Sequence, residues 1–242
     1  MKLIIGIVSY VPGKQPARKQ RIERLKRLIQ QCQDLWPDIE MYIYAQNWTD
    51  KLETNVKKIH NHIHCKRIKD KVGILAARKA LRKWLLSTSA DQFMLFDDDA
   101  IIQTENNSHI ELLKIIEQNP QGWTFQLADE PHSLNPFADS QLNLCVLSRY
   151  IFEQEDFPNF DPEKSEAFED RLFSMEIYCK YPTLRYDLPN GIKCIHFKNP
   201  NEKAPSTWAK EKEYKWNFMR ENTKLLEERL FYKYLPPKIT KH

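Results

Sequence analysis

Apolar and polar residues fall into blocks that predict alternating strands and helices at the start of the chain. Residues 2–10 are dense in Ile and Val and lead into a turn at Pro12 and Gly13, which is typical of a buried strand. From Ala17 to Leu35 the apolar residues recur at helical spacing opposite Lys and Arg, and residues 40–45 alternate as a second strand. A strand, a helix and a strand in this order predict the opening of a parallel sheet.

The same alternation continues through the middle of the chain. A helix is predicted over residues 72–86, then a short apolar strand at 93–96 and an amphipathic helix over 108–118. Two further strands are predicted at 123–127 and 141–147, joined by an acidic loop with two prolines. The expected fold class is therefore α/β and Rossmann-related, with a mixed, mainly parallel sheet flanked by helices.

In the C-terminal third the sequence pattern predicts a less regular order of helices and strands. A helix is predicted over residues 167–180, a short strand at 184–188 and a strand-like segment at 191–198. The tail is charged and carries two tryptophans on a stretch with helical spacing. Because no internal repeat or low-complexity segment interrupts the chain, we expect one main domain over 1–200, with 201–242 as a helical appendage packed on it.

Between Asn47 and Lys71 the pattern is polar, basic and irregular. His60, His62 and His64 alternate there, and on a strand that spacing would point three possible metal ligands to one side. No carboxylate or cysteine joins them at this spacing, and neighbouring lysines would repel a cation. We therefore expect these histidines to have a structural role rather than to bind metal.

The composition is that of a packed interior with a well-solvated surface. Hydrophobic residues make up 41% of the 242 and charged residues 29%. The apolar runs are too short to cross a bilayer and the first residues lack a signal-peptide pattern, so the expected location is the cytoplasm. Five cysteines without a CxxC pair favour free buried thiols over a zinc or redox motif.

The net charge is only +4, but the basic residues cluster at 14–27, 57–71 and 78–83. Such clusters fit either an anionic partner or ordinary solvated helix faces.

The sharpest chemical feature is the acidic triplet Asp97, Asp98 and Asp99 directly after the apolar strand. Three adjacent carboxylates repel one another unless a cation or hydrogen-bond donors compensate them. Because strand side chains alternate, Asp97 and Asp99 are expected to face the same side while Asp98 points away or turns with the loop. Oxygen ligands of this kind suit Mg²⁺ or Mn²⁺, which complete their shells with water and substrate phosphates.

The segment Gly73-Ile-Leu-Ala-Ala-Arg78, followed by a helix and by Leu95-Phe-Asp-Asp-Asp99, resembles the central signature of GT-A-fold glycosyltransferases. The resemblance makes residues 1–200 a catalytic domain for a nucleotide-sugar donor, most simply a UDP-sugar. It implies that Asp97 reaches toward the nucleoside and, with Asp99, holds Mn²⁺ or Mg²⁺ on the diphosphate. Asp98 and Arg78 are then also placed at the donor, where a guanidinium fork can hold two oxygens.

Weaker matches imply further site residues. The acidic motif before the helix at 167–180 resembles the family's catalytic carboxylate, which makes Asp170, with Glu169 close behind, the expected base of an inverting enzyme. His196 occupies the place of a late metal-ligating histidine, and Lys198 is expected near the diphosphate. The remaining implied donor contacts lie at the ends of the first two strands: Ser9, Tyr10 and Asn47.

Several functions stay open at this level. The first interpretation is a glycosyltransferase whose acceptor is a hydroxymethylated base in DNA, similar to DNA-modifying members from phages, and such a base would have to leave the duplex. The second is a glycosyltransferase acting on a surface glycan. A metal-dependent nucleotidyltransferase or nuclease would use the same acidic cluster, and a non-catalytic nucleic-acid-binding module would use the basic clusters alone. The sugar, the stereochemical outcome and the oligomeric state are open in all of them.

Overall fold

A computed structural model describes residues 1–13, 15–126, 144–157 and 169–196. They divide between two compact units. The first takes residues 1–126, 144–156 and 184–196, and the second takes Phe157 and residues 169–183. The predicted appendage at 201–242 lies outside the described residues.

The strands of the first unit are β1 (Leu3–Tyr10), β2 (Glu40–Gln46), β3 (Ile63–Ile68), β4 (Gln92–Asp97), β5 (Ala100–Thr104), β6 (Trp123–Phe125), β7 (Cys145–Ser148) and β8 (Ile192–His196). Its helices are α1 (Ala17–Leu35), α2 (Asp50–Lys57), α3 (Ile74–Leu86), α4 (Ser108–Gln118) and α5 (Arg149–Gln154). In the second unit α6 (Glu169–Lys180) is described.

Six strands form one sheet in the order β3-β2-β1-β4-β7-β6. The pairs among β3, β2, β1 and β4 are parallel, whereas β7 runs antiparallel to both of its neighbours. The predicted α/β fold with a mainly parallel sheet is confirmed. The chain moves outward from β1 to β3 and returns on the other side of β1 as β4, so the switch in strand order falls between β1 and β4. Open α/β sheets bind ligands at the carboxyl ends of the strands at such a point.

The two central strands, β1 and β4, are buried along all but their end residues because they are almost entirely apolar. Gly6 in β1 is a point of close approach: a Cβ there would lie 2.8 Å from Leu85 of α3 and 2.8 Å from Leu95 of β4. The absence of a side chain at this position lets α3 pack directly on the sheet. This packing fixes the helix that carries Arg78.

The helices predicted at 17–35 and 108–118 are confirmed to the residue. The irregular segment predicted between Asn47 and Lys71 is wrong, because it contains both α2 and β3. On β3 only Ile63 is buried, so an edge strand with polar side chains gives no hydrophobic alternation. The strand predicted at 184–188 is also wrong, since that region holds a 3-10 turn and a single bridge between Trp123 and Arg185.

A separate antiparallel ribbon of β5 and β8 follows the acidic triplet. At each outer edge of the ribbon, a glutamine side chain forms a pair of hydrogen bonds with the backbone, as the peptide of a neighbouring strand would. Gln31 of α1 donates to the Ile102 carbonyl at 2.8 Å and accepts from the Ile102 amide at 3.1 Å. Gln126 makes the same pair of bonds with Cys194 of β8. The ribbon is thereby fixed to the main sheet and to α1.

Candidate functional site

The three aspartates stand where β4 ends beside β1. Asp97 is the last residue of β4 and pairs with Val8 in register, while Asp98 and Asp99 form the turn into β5. The triplet therefore lies at the carboxyl end of the sheet, at the switch between β1 and β4. Each carboxylate has its own partners.

Asp97 is paired with Arg78, which lies on the second turn of α3. The Arg78 Nη2 is 2.7 Å from Asp97 Oδ1, and 7% of the arginine side chain is exposed. The helix begins after Gly73, whose φ of 83° and ψ of 161° are accessible essentially only to glycine. Gly73 and Arg78 therefore act together. Gly73 allows the helix to begin, and Arg78 extends from that helix to the acidic turn.

Asp98 points into the protein, with only 1% of its side chain exposed. Its Oδ2 accepts from the Tyr10 amide at 3.1 Å, and its Oδ1 lies 2.6 Å from Arg21 Nη2. Burial raises the pKa of Asp98 to about 6, although the Arg21 charge and a hydrogen bond from Ser9 lower it. This carboxylate ties the exit of β1 to the turn after β4.

Asp99 is paired with the same arginine, since Arg21 Nη1 is 2.7 Å from Asp99 Oδ2. Burial alone would lower the pKa of Arg21, but the charges of Asp98, Asp99 and Asp97 raise it above its usual value. Two guanidinium groups therefore offset two of the three negative charges. Arg21 was not singled out from the sequence, where it was only one member of the basic cluster 14–27. Its partner is 78 residues away, and no local spacing indicates such a pair.

The residues predicted to contact the nucleoside lie around the exits of β1 and β2. Ser9 is buried and accepts a hydrogen bond from Trp48 Nε1 at 3.2 Å. The Tyr10 ring is half-buried, with Lys71 Nζ 5.3 Å from its centroid. Asn47 adopts a left-handed backbone and donates its side-chain amide to the Val11 carbonyl at 2.7 Å. Asn47 thus holds the loop after β1 in place.

The structure brings part of the remaining predicted set near the triplet. The backbone of His196 pairs with Ala100, the residue after Asp99, although its side chain lies outside the described residues, as does all of Lys198. Glu169 and Asp170 open α6 in the second unit; Asp170 is half-buried, and the Glu169 side chain lies outside the described residues.

The three histidines that alternate near β3 have different environments. His60 is buried, and its Nδ1 accepts from the His62 amide at 3.1 Å. His64 stacks on Tyr42, with ring centroids 4.6 Å apart, and its Nε2 is 3.2 Å from Glu40 Oε2. These are packing and hydrogen-bonding contacts within the fold.

The carboxylates of the acidic turn are the candidate ligands for a divalent cation. Within the described parts of the chain, no group of three or more His, Cys, Asp or Glu side chains could hold a metal ion. The side chains of Asp97 and Asp99 are 19% and 18% exposed, and each places one carboxylate oxygen in an ion pair with an arginine. Two accessible carboxylates fit an ion that takes its other ligands from phosphates and water, as Mg²⁺ commonly does. Asp98, with an arginine on one oxygen and a backbone amide on the other, is placed to support them.

None of the helices in the described residues is long and apolar enough to cross a membrane.

No protein-family model matches the chain, and no curated protein is significantly similar to it in sequence. Solved structures do match. A putative glucose-1-phosphate thymidylyltransferase from Bacillus anthracis, in complex with a sucrose, is 11% identical with a TM-score of 0.51, and the match covers 80% of this chain and 89% of that one. S. aureus TarS in complex with UDP-GlcNAc is 16% identical with a TM-score of 0.48, over 74% of this chain and 54% of that one.

The chain therefore spans about half the length of the TarS structure that it matches. At these identities the likeness shows the fold alone. The fold is the Rossmann-like α/β arrangement, with a mainly parallel sheet flanked by helices, that the sequence predicted, and the thymidylyltransferase structure shares it.

Proposed function

We propose that this chain is a glycosyltransferase that moves a sugar from a nucleotide-diphosphate donor to a hydroxyl acceptor. The observation that carries the proposal is the acidic turn Asp97 to Asp99 at the carboxyl end of β4, supported by arginines from two helices. An acidic loop without a function would stay in solvent. Here the middle carboxylate, Asp98, is instead buried and accepts a hydrogen bond from the Tyr10 amide at the exit of β1. The turn also lies at the switch in strand order, where folds of this class bind nucleotides.

The donor would bind between the exits of β1 and β4. Tyr10 offers an aromatic face to the nucleobase, and the buried Ser9 and the half-buried Asn47 shape the exit behind it. Arg78, whose Nη2 lies 2.7 Å from Asp97 Oδ1, would bring its positive charge to the diphosphate.

Asp97 and Asp99 would hold Mn²⁺ or Mg²⁺, with His196 as a third ligand. When bound, the ion would neutralise charge on the leaving nucleoside diphosphate. Arg78 contributes to the same leaving group from the protein side, since its charge is permanent and its position is fixed. Asp98 keeps the turn in place by its bonds to Tyr10 and Arg21.

The acceptor side rests on the sequence. Asp170, with Glu169 beside it, is the proposed base that takes the proton of the acceptor hydroxyl if the enzyme inverts configuration. A hydroxymethylated base in DNA is the acceptor that makes use of the basic clusters at 57–71 and 78–83, and a surface glycan is the other proposed acceptor.

Calorimetric titration of UDP, with and without Mn²⁺, tests the donor site directly. We expect binding with Mn²⁺ to be at least about tenfold tighter than in EDTA, because the acidic turn repels an uncompensated diphosphate. Asp99→Asn should remove most of that metal dependence. Asp38→Asn, which changes an exposed acid beyond α1, is the matched control and should bind as the wild type does.

Turnover distinguishes the two transferase classes. A glycosyltransferase slowly hydrolyses a UDP-sugar and releases UDP, whereas a nucleotidyltransferase releases pyrophosphate from a nucleoside triphosphate and a sugar 1-phosphate. UDP binding that is absent, or equally tight in EDTA, would contradict the proposed function.

A further inference from the structure

We infer that Arg21 is a built-in counter-cation of the acidic turn, which makes binding of a divalent ion depend on the nucleotide diphosphate. The inference rests on the proposed function and assigns a positioning residue that the sequence signature does not contain.

The contacts of Arg21 are made to two successive carboxylates rather than to one. Its Nη2 is 2.6 Å from Asp98 Oδ1 and its Nη1 is 2.7 Å from Asp99 Oδ2. A planar guanidinium can span two acceptors in this way, whereas a lysine ammonium has no fixed fork. Arg21 is therefore matched in shape to the turn itself.

The two halves of this contact differ in burial. Asp98 is 1% exposed and is also held by the Tyr10 amide, so its bond to Arg21 anchors the arginine. Asp99 is 18% exposed and lies at the open side of the turn. The Asp99 bond can be exchanged for another cation while the Asp98 bond keeps the guanidinium close by.

An anchored positive charge beside Asp99 weakens the binding of a free divalent ion there. The guanidinium competes for the carboxylate oxygen and repels the incoming charge over a few ångströms of protein. A nucleotide diphosphate removes this penalty, because its negative charges compensate both the ion and the arginine. The ion and the nucleotide are then expected to bind as a pair, and neither tightly alone.

Direct measurement of Mn²⁺ binding by electron paramagnetic resonance tests this without turnover. In the absence of nucleotide, Arg21→Gln should bind Mn²⁺ at least about tenfold more tightly than the wild type, because one positive charge is lost. The factor by which UDP enhances Mn²⁺ affinity should shrink by a similar amount. Arg27→Gln, an exposed arginine on the same helix, removes the same charge and should leave both values unchanged.

Arg21→Gln leaves the buried Asp98 without its arginine and can therefore prevent folding. A second variant keeps the test valid in that case. The double variant Arg21→Gln and Asp98→Asn removes the stranded charge and carries the same expectation, measured against Asp98→Asn alone. Unchanged or weaker affinity for free Mn²⁺ in the folded variants would overturn the role of Arg21. Wild-type protein that binds no Mn²⁺ even with UDP would overturn the proposed function as well.

Discussion

Gly73 sets the direction of α3 through a backbone conformation that a residue with a Cβ adopts only with strain. We predict that Gly73→Ala lowers the free energy of unfolding by about 1–3 kcal/mol, as measured by urea denaturation. It should also weaken UDP binding, because Arg78 is on the helix that Gly73 starts. Gly13→Ala is the control: a Cβ at Gly13 meets nothing within 4 Å, so this change should be neutral or slightly stabilising. An equal loss of free energy of unfolding in Gly73→Ala and Gly13→Ala would contradict this role of the Gly73 backbone.

His60 gives the fold a dependence on pH. Burial, with a smaller effect of His62, lowers the pKa of His60 below its ordinary value of 6.5. The unfolded chain therefore takes up this proton at a higher pH than the folded chain does. The free energy of unfolding should fall as the pH drops below about 6.5 toward the lowered pKa of the folded state.

The His60 contribution can be isolated by His60→Asn, which keeps a side-chain acceptor near the His62 amide and cannot titrate. Urea denaturation at pH 7.5 and pH 5.5 should show a smaller loss in this variant than in the wild type. If both proteins lose the same free energy of unfolding between pH 7.5 and pH 5.5, His60 is not the source of the pH dependence.

At the residue scale the sequence predicted which residues are chemically notable but not which ones meet. Asp97 and Arg78 were both singled out, and the structure pairs them at 2.7 Å. Arg21 was not, because a charged residue in a basic helix is identical in pattern to its solvated neighbours. The sequence left open whether Asp98 points away from its neighbours or turns with the loop, and its bond to the Tyr10 amide depends on the register between β1 and β4.

At the scale of elements, α3 and α5 satisfy each other's C-terminal carbonyl groups. Arg149, the first residue of α5, donates to the carbonyl of Leu86, the last residue of α3, and to those of Thr88 and Ala90 just beyond it. Arg82 of α3 donates in turn to the carbonyls of Phe152 and Glu155 at the end of α5. Helix ends leave such carbonyls without intrahelical partners, so two arginines stabilise both termini at once.

We predict that Arg149→Met lowers the free energy of unfolding by about 2–3 kcal/mol, because charge-assisted bonds to several carbonyls are lost together. Arg149→Lys should lose less, since it keeps the charge without the fork. Gln154→Met, at an exposed position of the same helix, should stay within about 0.5 kcal/mol. Thermal and urea unfolding that leave Arg149→Met unchanged would refute this role.

The elements that the sequence predicted best are the long amphipathic ones. In α1 and α4 the apolar stripe extends over several turns, and both ends were predicted to the residue. The segments α2, β3 and β5 were missed because each is short and offers few periods to detect. In α2 the stabilising features are the Thr49 cap, which accepts from the Leu52 amide, and the burial of Val56.

At the scale of the whole sheet, strand alternation predicted the parallel part but could not give the strand order. The position of β4 beside β1, rather than beside β3, creates the switch at which the aspartates lie. A strand was predicted at 141–147, where β7 lies, but its antiparallel direction could not be read from the pattern, because a short buried strand has the same composition in either direction. The site combines α1, α3, β1 and β4, so its geometry depends on packing and not on spacing along the chain.

The glutamines that flank the β5–β8 ribbon have a consequence for how the molecule behaves among its own copies. An open strand edge is a template for recruiting a strand from another chain, and a two-stranded ribbon has two such edges. At Ile102 and at Cys194 the amide of Gln31 or Gln126 already occupies the place of the next peptide. A foreign strand that extends the ribbon at either position must first displace a side chain of the same molecule, which guards these positions against self-association.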